Sequence, residues 1–433
     1  MSAFAAALAL LACDRGAPNA PTPPASASPS AAPADSLPST AAASAASAPP
    51  PDDSPDTRLE RALRASDPRF EGWMQSAQDL RLQILVTEVR PEGEWATYAY
   101  RADKEYFYPA SAIKPLLAAA ALRALSERAK GPIPPATRII RCAKNKPKCE
   151  PPKADEDDDD KNAPPPAPGA DPPKKKHKKL VLKEEIENLL SYSDNDSYDR
   201  LYDIVGHREL NELMPTLGFP DVRFQHRMSG PASTQKETLA VRILPPGRPT
   251  FFLKARKSEL ELPPTPAEGL LLGAKHHGEH GFEETPMDFG TKNYVSLHDL
   301  QRFLIALMFP DHPGAVPLGL DAEQRALLIT PMTRVPMPGP GIADHNPLGP
   351  GILEVVPQKR LRYVGKAGRA YGFLLESAYI EDTETHRAIF VAATVLSNAD
   401  GVMNDDKYDY AETGRPILRA IGAAVAKMFL AAP

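Results

Sequence analysis

Apolar residues recur along the chain with two periods, and each change of period marks an element. Over residues 58–77 the spacing of Leu59, Leu63, Phe70 and Trp73 is helical, with a break at Asp67-Pro68. Leu82, Ile84 and Val86 then alternate with more polar neighbours, which predicts a half-buried strand. Pro91-Glu92-Gly93 makes a turn, and residues 95–100 read as the returning strand. A loop through Tyr106-Phe107-Tyr108-Pro109-Ala110 leads to Ser111 and a long apolar helix that runs to Leu125. Residues 180–205 are helical again, with Val181, Ile186, Leu189 and Leu190 on or near one face. Residues 220–290, rich in Pro and Gly, yield no assignment. Residues 295–308 predict an amphipathic helix, its start signalled by Ser296 ahead of Asp299.

The tail reads more plainly. Residues 362–364, 371–380 and 388–396 predict three strands, the last nearly all apolar, as a strand covered on both faces would be. Residues 414–429 close the chain with a helix that lines up Ile417, Ile421, Val425 and Met428. Two strands, a large helical middle, three strands and a helix give a mixed α/β fold. The helical part is inserted between two halves of a sheet.

Composition shortens the folded part. The chain has 433 residues and 49 prolines, far above the usual share, and much of that proline sits where little else can pack. Residues 14–56 are almost entirely Ala, Pro, Ser, Thr and Asp, a tether-like linker that buries too little apolar surface to order itself. Residues 151–179 carry an acidic run, 155–160, and a basic run, 174–179, and read as an exposed charged insertion in a domain spanning 57–433. The acidic run lacks the alternation and turn glycine of a calcium loop. A net charge of −5 with no basic stripe excludes a nucleic-acid groove.

The chain opens MSAFAAALALLAC. Its apolar run ending Leu10-Leu11-Ala12-Cys13 resembles a bacterial lipobox, where the signal peptide is cut before a cysteine that then carries lipid. No Lys or Arg precedes the run, and it is too short to span a bilayer. Because a tether follows, residues 1–13 are read as a lipoprotein-type signal peptide. That places the protein in the bacterial cell envelope, anchored through Cys13. Cys142 and Cys149, with six residues between them, then suit a compact disulfide. A zinc site there lacks two ligands, and the His276-His277-Gly278-Glu279-His280 cluster lacks the spacing of a helical zinc motif while Gly278 points to a loop, so no metal is assigned.

Three short motifs follow one another in the chain: Ser111-Ala112-Ile113-Lys114, Ser193-Asp194-Asn195 and Lys366-Ala367-Gly368. Each is weak alone, and Ser233-Thr234-Gln235-Lys236 repeats the first spacing. A serine hydroxyl attacks poorly until a base takes its proton. Residues three apart share a helix face, so Lys114 can reach the Ser111 oxygen. Burial lowers a lysine pKa towards neutrality. The helix start aims the Ser111 N–H at a developing oxyanion. The Ser-Asp-Asn stretch suits a helix N-cap equally well, and only its place between the other motifs favours chemistry.

In this order the trio resembles the Ser-x-x-Lys, Ser-Asp-Asn and Lys-Thr-Gly set of class A β-lactamases and penicillin-binding proteins. The resemblance implies a β-lactamase/transpeptidase-like fold: an antiparallel sheet flanked by helices, with a large helical subdomain inserted between its halves. It implies that Ser111 is the nucleophile, that Lys114 activates it and that Ser193 relays a proton to the leaving nitrogen. Asn195 would touch the substrate and hold Lys114, while Lys366 faces the substrate carboxylate. Gly368 would admit the ligand, and the Arg369 N–H would complete the oxyanion hole. Two departures stand out. Ala367 replaces a hydroxyl-bearing residue, and residues 217–233 contain no Glu to activate a deacylating water, with Glu237 the nearest.

The expected function is therefore an exported, monomeric serine hydrolase without a cofactor, acylated at Ser111 and hydrolysing β-lactam amides. Two alternatives stay open: a D-alanyl-D-alanine peptidase or transpeptidase acting on peptidoglycan-like substrates, and an inactive envelope-binding lipoprotein.

Overall fold

In the computed structural model, which describes residues 54–90, 94–142, 180–278, 280–333 and 345–431, two strand groups far apart in sequence form one sheet. Cys13, Pro91-Glu92-Gly93, Cys149, the 151–179 insertion and the linker up to residue 53 lie outside the described residues. The chain enters through helices α1 (Pro55–Ser66) and α2 (Phe70–Gln75). Helix α1 starts inside the segment that composition assigns to the linker. Ser54 caps it by accepting the Thr57 N–H at 3.3 Å, Pro55 opens the first turn, and Leu59 and Leu63 are buried.

Strand β1 (Gln83–Val89) pairs antiparallel with β2 (Ala96–Tyr100) on one side. On the other it pairs with β5 (Arg387–Leu396), the last of three long C-terminal strands after β3 (Leu361–Ala370) and β4 (Phe373–Asp382). The order β3-β4-β5-β1-β2 is antiparallel throughout and leaves β3 at an edge. Alternation along β5 divides the core. Ile389, Val391, Ala393 and Val395 pack on the face with α1 and α10 (Arg415–Phe429), whereas Ala388, Phe390 and Ala392 join the cluster around α3 (Lys114–Arg128). Each of Ile417, Ile421 and Val425 on α10 is fully buried, worth about 1.5–3 kcal/mol apiece.

Residues between β2 and β3 carry α3, α4 (Leu182–Ser191), α5 (Asn195–Val205), α6 (His207–Thr216), α7 (Leu297–Met308), α8 (Ala322–Met332) and the short α9 (Gly349–Ile352). Ser296 caps α7 by accepting the Asp299 N–H at 3.0 Å, as the sequence signal predicts. Helix α3 is buried nearly all round, from Leu116 to Leu122, and its alanines let neighbours approach closely. The unassigned 220–290 stretch contributes short strands, among them Val241–Leu244, which pairs with Arg138–Arg141 and Phe251–Leu253.

Two expectations change. Lys366-Ala367-Gly368 does not end a short strand but lies well inside β3, because ten register pairs with β4 carry the ladder through residues of poor strand propensity. His276 and His277 are not in a loop. They are successive positions of the strand Lys275–Gly278, so they face opposite sides of it.

Candidate active site

The segment ahead of α3 does not start as an α-helix. Residues 110–113 form a 3₁₀ turn in which the Ala112 N–H donates to Pro109 O at 2.9 Å, and Ser111 lies half-buried within it. Ala110 takes φ +45°, a left-handed conformation that costs a non-glycine residue roughly 1–2 kcal/mol. Pro115 follows in the first turn of α3, where its missing N–H leaves no partner wanting.

Lys114 is fully buried, and its ammonium finds three acceptors. It donates to Ser193 O at 2.5 Å, Asn195 Oδ1 at 2.8 Å and Ser193 Oγ at 3.2 Å. Three donors and three acceptors fill one another, which is why the predicted Lys114–Ser111 bond is not formed among the described residues. Burial draws the Lys114 pKa down to about 8, against the opposing pull of Asp194 and Asp199.

The turn between α4 and α5 supplies those acceptors. Asp194 caps α5, accepting the Ser197 N–H and Ser197 hydroxyl, both at 2.7 Å. Ser193 just before it adopts φ +59°. Asp194 thus caps the helix, while Ser193 and Asn195 face Lys114. Lys366 reaches the same hydroxyl from β3: its Nζ lies 3.1 Å from Ser193 Oγ and 3.1 Å from Ala367 O. One serine hydroxyl therefore sits between two buried lysines.

Gly368 on β3 meets the Ser111 turn closely. A Cβ there would lie 2.3 Å from Pro109 O and 3.1 Å from Ala112 N. The glycine lets the Ser111 turn pack directly against the face of β3, where a side chain would hold the two backbones apart. The Arg369 side chain is exposed over the Tyr410 ring at 5.4 Å. Ala367 is in register with Glu376, which is fully buried and accepts the Leu348 N–H at 3.0 Å and Asn346 Nδ2 at 3.3 Å. Burial raises the Glu376 pKa to about 7, against hydrogen bonds from the Leu348 N–H and Asn346 and the charge of Lys366.

A family model described as "Beta-lactamase enzyme family" matches residues 68–429. The chain belongs to the β-lactamase enzyme family. Among solved structures it is similar to a β-lactamase from Desulfarculus baarsii DSM 2075, at 18% identity and TM-score 0.47, with 87% of this chain and 99% of that one covered. A class A β-lactamase from Clostridium kluyveri DSM 555 is 16% identical with TM-score 0.45, covering 84% and 99%. The β-lactamase from Streptomyces albus G is 17% identical with TM-score 0.44, covering 86% and 99%. No curated relative matches the sequence.

Elsewhere this β-lactamase-family chain separates the two Ser-x-x-Lys matches. Ser233 is exposed in a short 3₁₀ turn, and Lys236 is spent on Leu260 O and Glu261, both at 3.3 Å. The segment 217–233 is stapled beside α5: buried Asp203 accepts Arg227 at 2.5 Å and pairs with Arg141 at 2.6 Å, and Asp199 accepts the Met228 N–H at 2.9 Å. Cys142 is disulfide-bonded. Sequence reasoning missed Asp203 and Glu376. Glu376 carried a signal, since it alternates with Leu374, Ala378 and Ile380 on one strand face and is the only charge among them.

Proposed function

We propose that this β-lactamase-family chain is a serine hydrolase acylated at Ser111 by β-lactam amides. The observation that carries this reading is the hydrogen-bonded chain from Lys114 through Ser193 Oγ to Lys366, beside the turn that bears Ser111. Neutral Lys114 has two donors and a lone pair, so one of its three contacts must give way, and Ser193 Oγ is the longest. The freed lone pair takes the Ser111 proton as the Ser111 oxygen attacks the amide carbonyl. The Ser111 and Arg369 N–H groups would stabilise the oxyanion. As the C–N bond breaks, Ser193 passes a proton to the leaving nitrogen and is resupplied from Lys114, leaving an ester on Ser111. Asn195 holds Lys114 and touches the substrate, and Lys366 attracts the substrate carboxylate and keeps the Ser193 hydroxyl oriented.

The second reading is a D-alanyl-D-alanine peptidase or transpeptidase, and the absence of Glu from residues 217–233 favours it. Without a base for the deacylating water the ester persists. Mass spectrometry after exposure to benzylpenicillin tests the core claim: one adduct, lost in Ser111→Ala. An equal adduct on Ser111→Ala refutes it. Rapid turnover of a chromogenic cephalosporin would then count against the peptidase. Export and anchoring through lipid on Cys13 belong to the same proposal, and radiolabelled palmitate incorporated into wild type but not Cys13→Ala would support them.

A further inference from the structure

Beside the Ser111 turn opens a cleft of about 700 Å³, a volume within the usual range for a small-molecule site. Tyr108, three residues before Ser111, and Tyr371, two after Arg369, form one wall, their rings edge to face at 5.1 Å. His226 lies parallel to Tyr108 at 6.3 Å. Its Nδ1 is 2.7 Å from Arg227 O, and burial first, with help from the charge of Lys292, holds its pKa down at about 4, so it is neutral.

The charges of this cleft cancel except at one place. Lys236 meets Glu261 at 3.3 Å, Lys257 meets Glu259 at 3.7 Å, and Arg227 is held by Asp203. Lys292 has no carboxylate within 4.0 Å among the described residues. Its Nζ stands 5.5 Å over the Tyr371 ring, a half-buried ammonium on an aromatic floor. Such a cation is incompletely satisfied by a ring face and gains from an anionic acceptor that arrives with a ligand.

The direction of β3 says which part of a substrate meets it. A substrate laid along this edge with its carboxylate at Lys366 and its carbonyl at Arg369 carries its acyl side chain onward to Tyr371 and the cleft. The geometry points to Lys292 as a specificity residue that selects acyl groups bearing a carboxylate. This rests on acylation at Ser111.

Benzylpenicillin and carbenicillin, which differ by one carboxylate on the acyl side chain, are the probes. Their equilibrium affinities are measured on Ser111→Ala protein, with and without Lys292→Met, Lys292→Glu or Lys292→Arg. Removing the charge in Lys292→Met should weaken carbenicillin by about tenfold and leave benzylpenicillin within about twofold. Lys292→Glu should weaken carbenicillin further, and Lys292→Arg should keep the preference. Benzylpenicillin binding controls for folding, with Lys292→Gln as a second neutral variant. Equal loss for both compounds, no change, or binding of neither overturns the inference. Because Ser111→Ala cannot be acylated, failure of the acylation reading appears separately, as no covalent adduct on native protein.

Discussion

Replacing Gly368 by alanine should separate the Ser111 turn from β3. The new Cβ would sit 2.3 Å from Pro109 O, whereas such contacts essentially never fall below 3.0 Å, so the two backbones must part by at least about 0.7 Å. Neither side can yield cheaply: β3 is held by ten register pairs, and the turn runs straight into the buried helix α3. Overpacking of this kind costs roughly 1–3 kcal/mol of stability. The effect on chemistry should exceed that on folding. A displacement near 1 Å between nucleophile and oxyanion donors can cost ~10²-fold in rate. Stopped-flow acylation with a fluorescent penicillin, beside thermal melts, measures both. Acylation within about threefold of wild type, in a variant whose melting temperature shows it folded, would refute the idea that Gly368 sets the Ser111–β3 distance.

If Lys114 accepts the Ser111 proton, acylation should rise about tenfold per pH unit below pH 8 and level off above it, from the pKa of about 8; a pH-independent rate between 6 and 9 would sink that role. Ser193→Ala should slow acylation by roughly 10²-fold while Lys114 keeps Asn195 and Ser193 O as partners; unchanged single-turnover kinetics would argue otherwise. Glu376 is protonated more readily folded than unfolded, so its contribution to stability is complete below pH 4.5 and is lost as pH rises through about 7. Urea denaturation at pH 5 and pH 8 should show a smaller difference in Glu376→Gln, and an identical difference would discard the assignment. Asp203→Ala leaves Arg227 buried without its carboxylate and should cost about 3–5 kcal/mol; a loss under about 1 kcal/mol by denaturant titration would show that the loop does not depend on it.

Much of the architecture was legible because burial writes directly into periodicity. The unbroken apolar run of β5 announced a strand covered on both faces, and the stripe on α10 announced its packing side. The family resemblance read from three short motifs is matched by the family model over residues 68–429. What stayed hidden depends on long-range pairing. The Gly-Lys-Ala-Gly stretch does not look like strand, and only the ladder to β4 makes it one. The contacts of Ser193 with Lys114 and Lys366 span 79 and 173 residues, distances at which no local pattern speaks. The left-handed Ala110 and the role of Gly368 follow from how closely two backbones meet, which the chain order does not encode locally.

The pairing of β1 with β5 has a kinetic consequence. Gln83 finds Thr394 and Val89 finds Ala388, so the middle of the sheet joins residues about 300 positions apart. Closing so long a loop carries an entropic cost before any contact repays it, and topologies rich in such pairings fold slowly. Until the final strand arrives, β1 presents a bare apolar edge, the kind of surface that invites aggregation or a chaperone. The half-sheet holding Lys366 likewise cannot be completed by β1 until both ends of the chain are present. The meeting of Lys114, Ser193 and Lys366 thus waits on residues late in the chain.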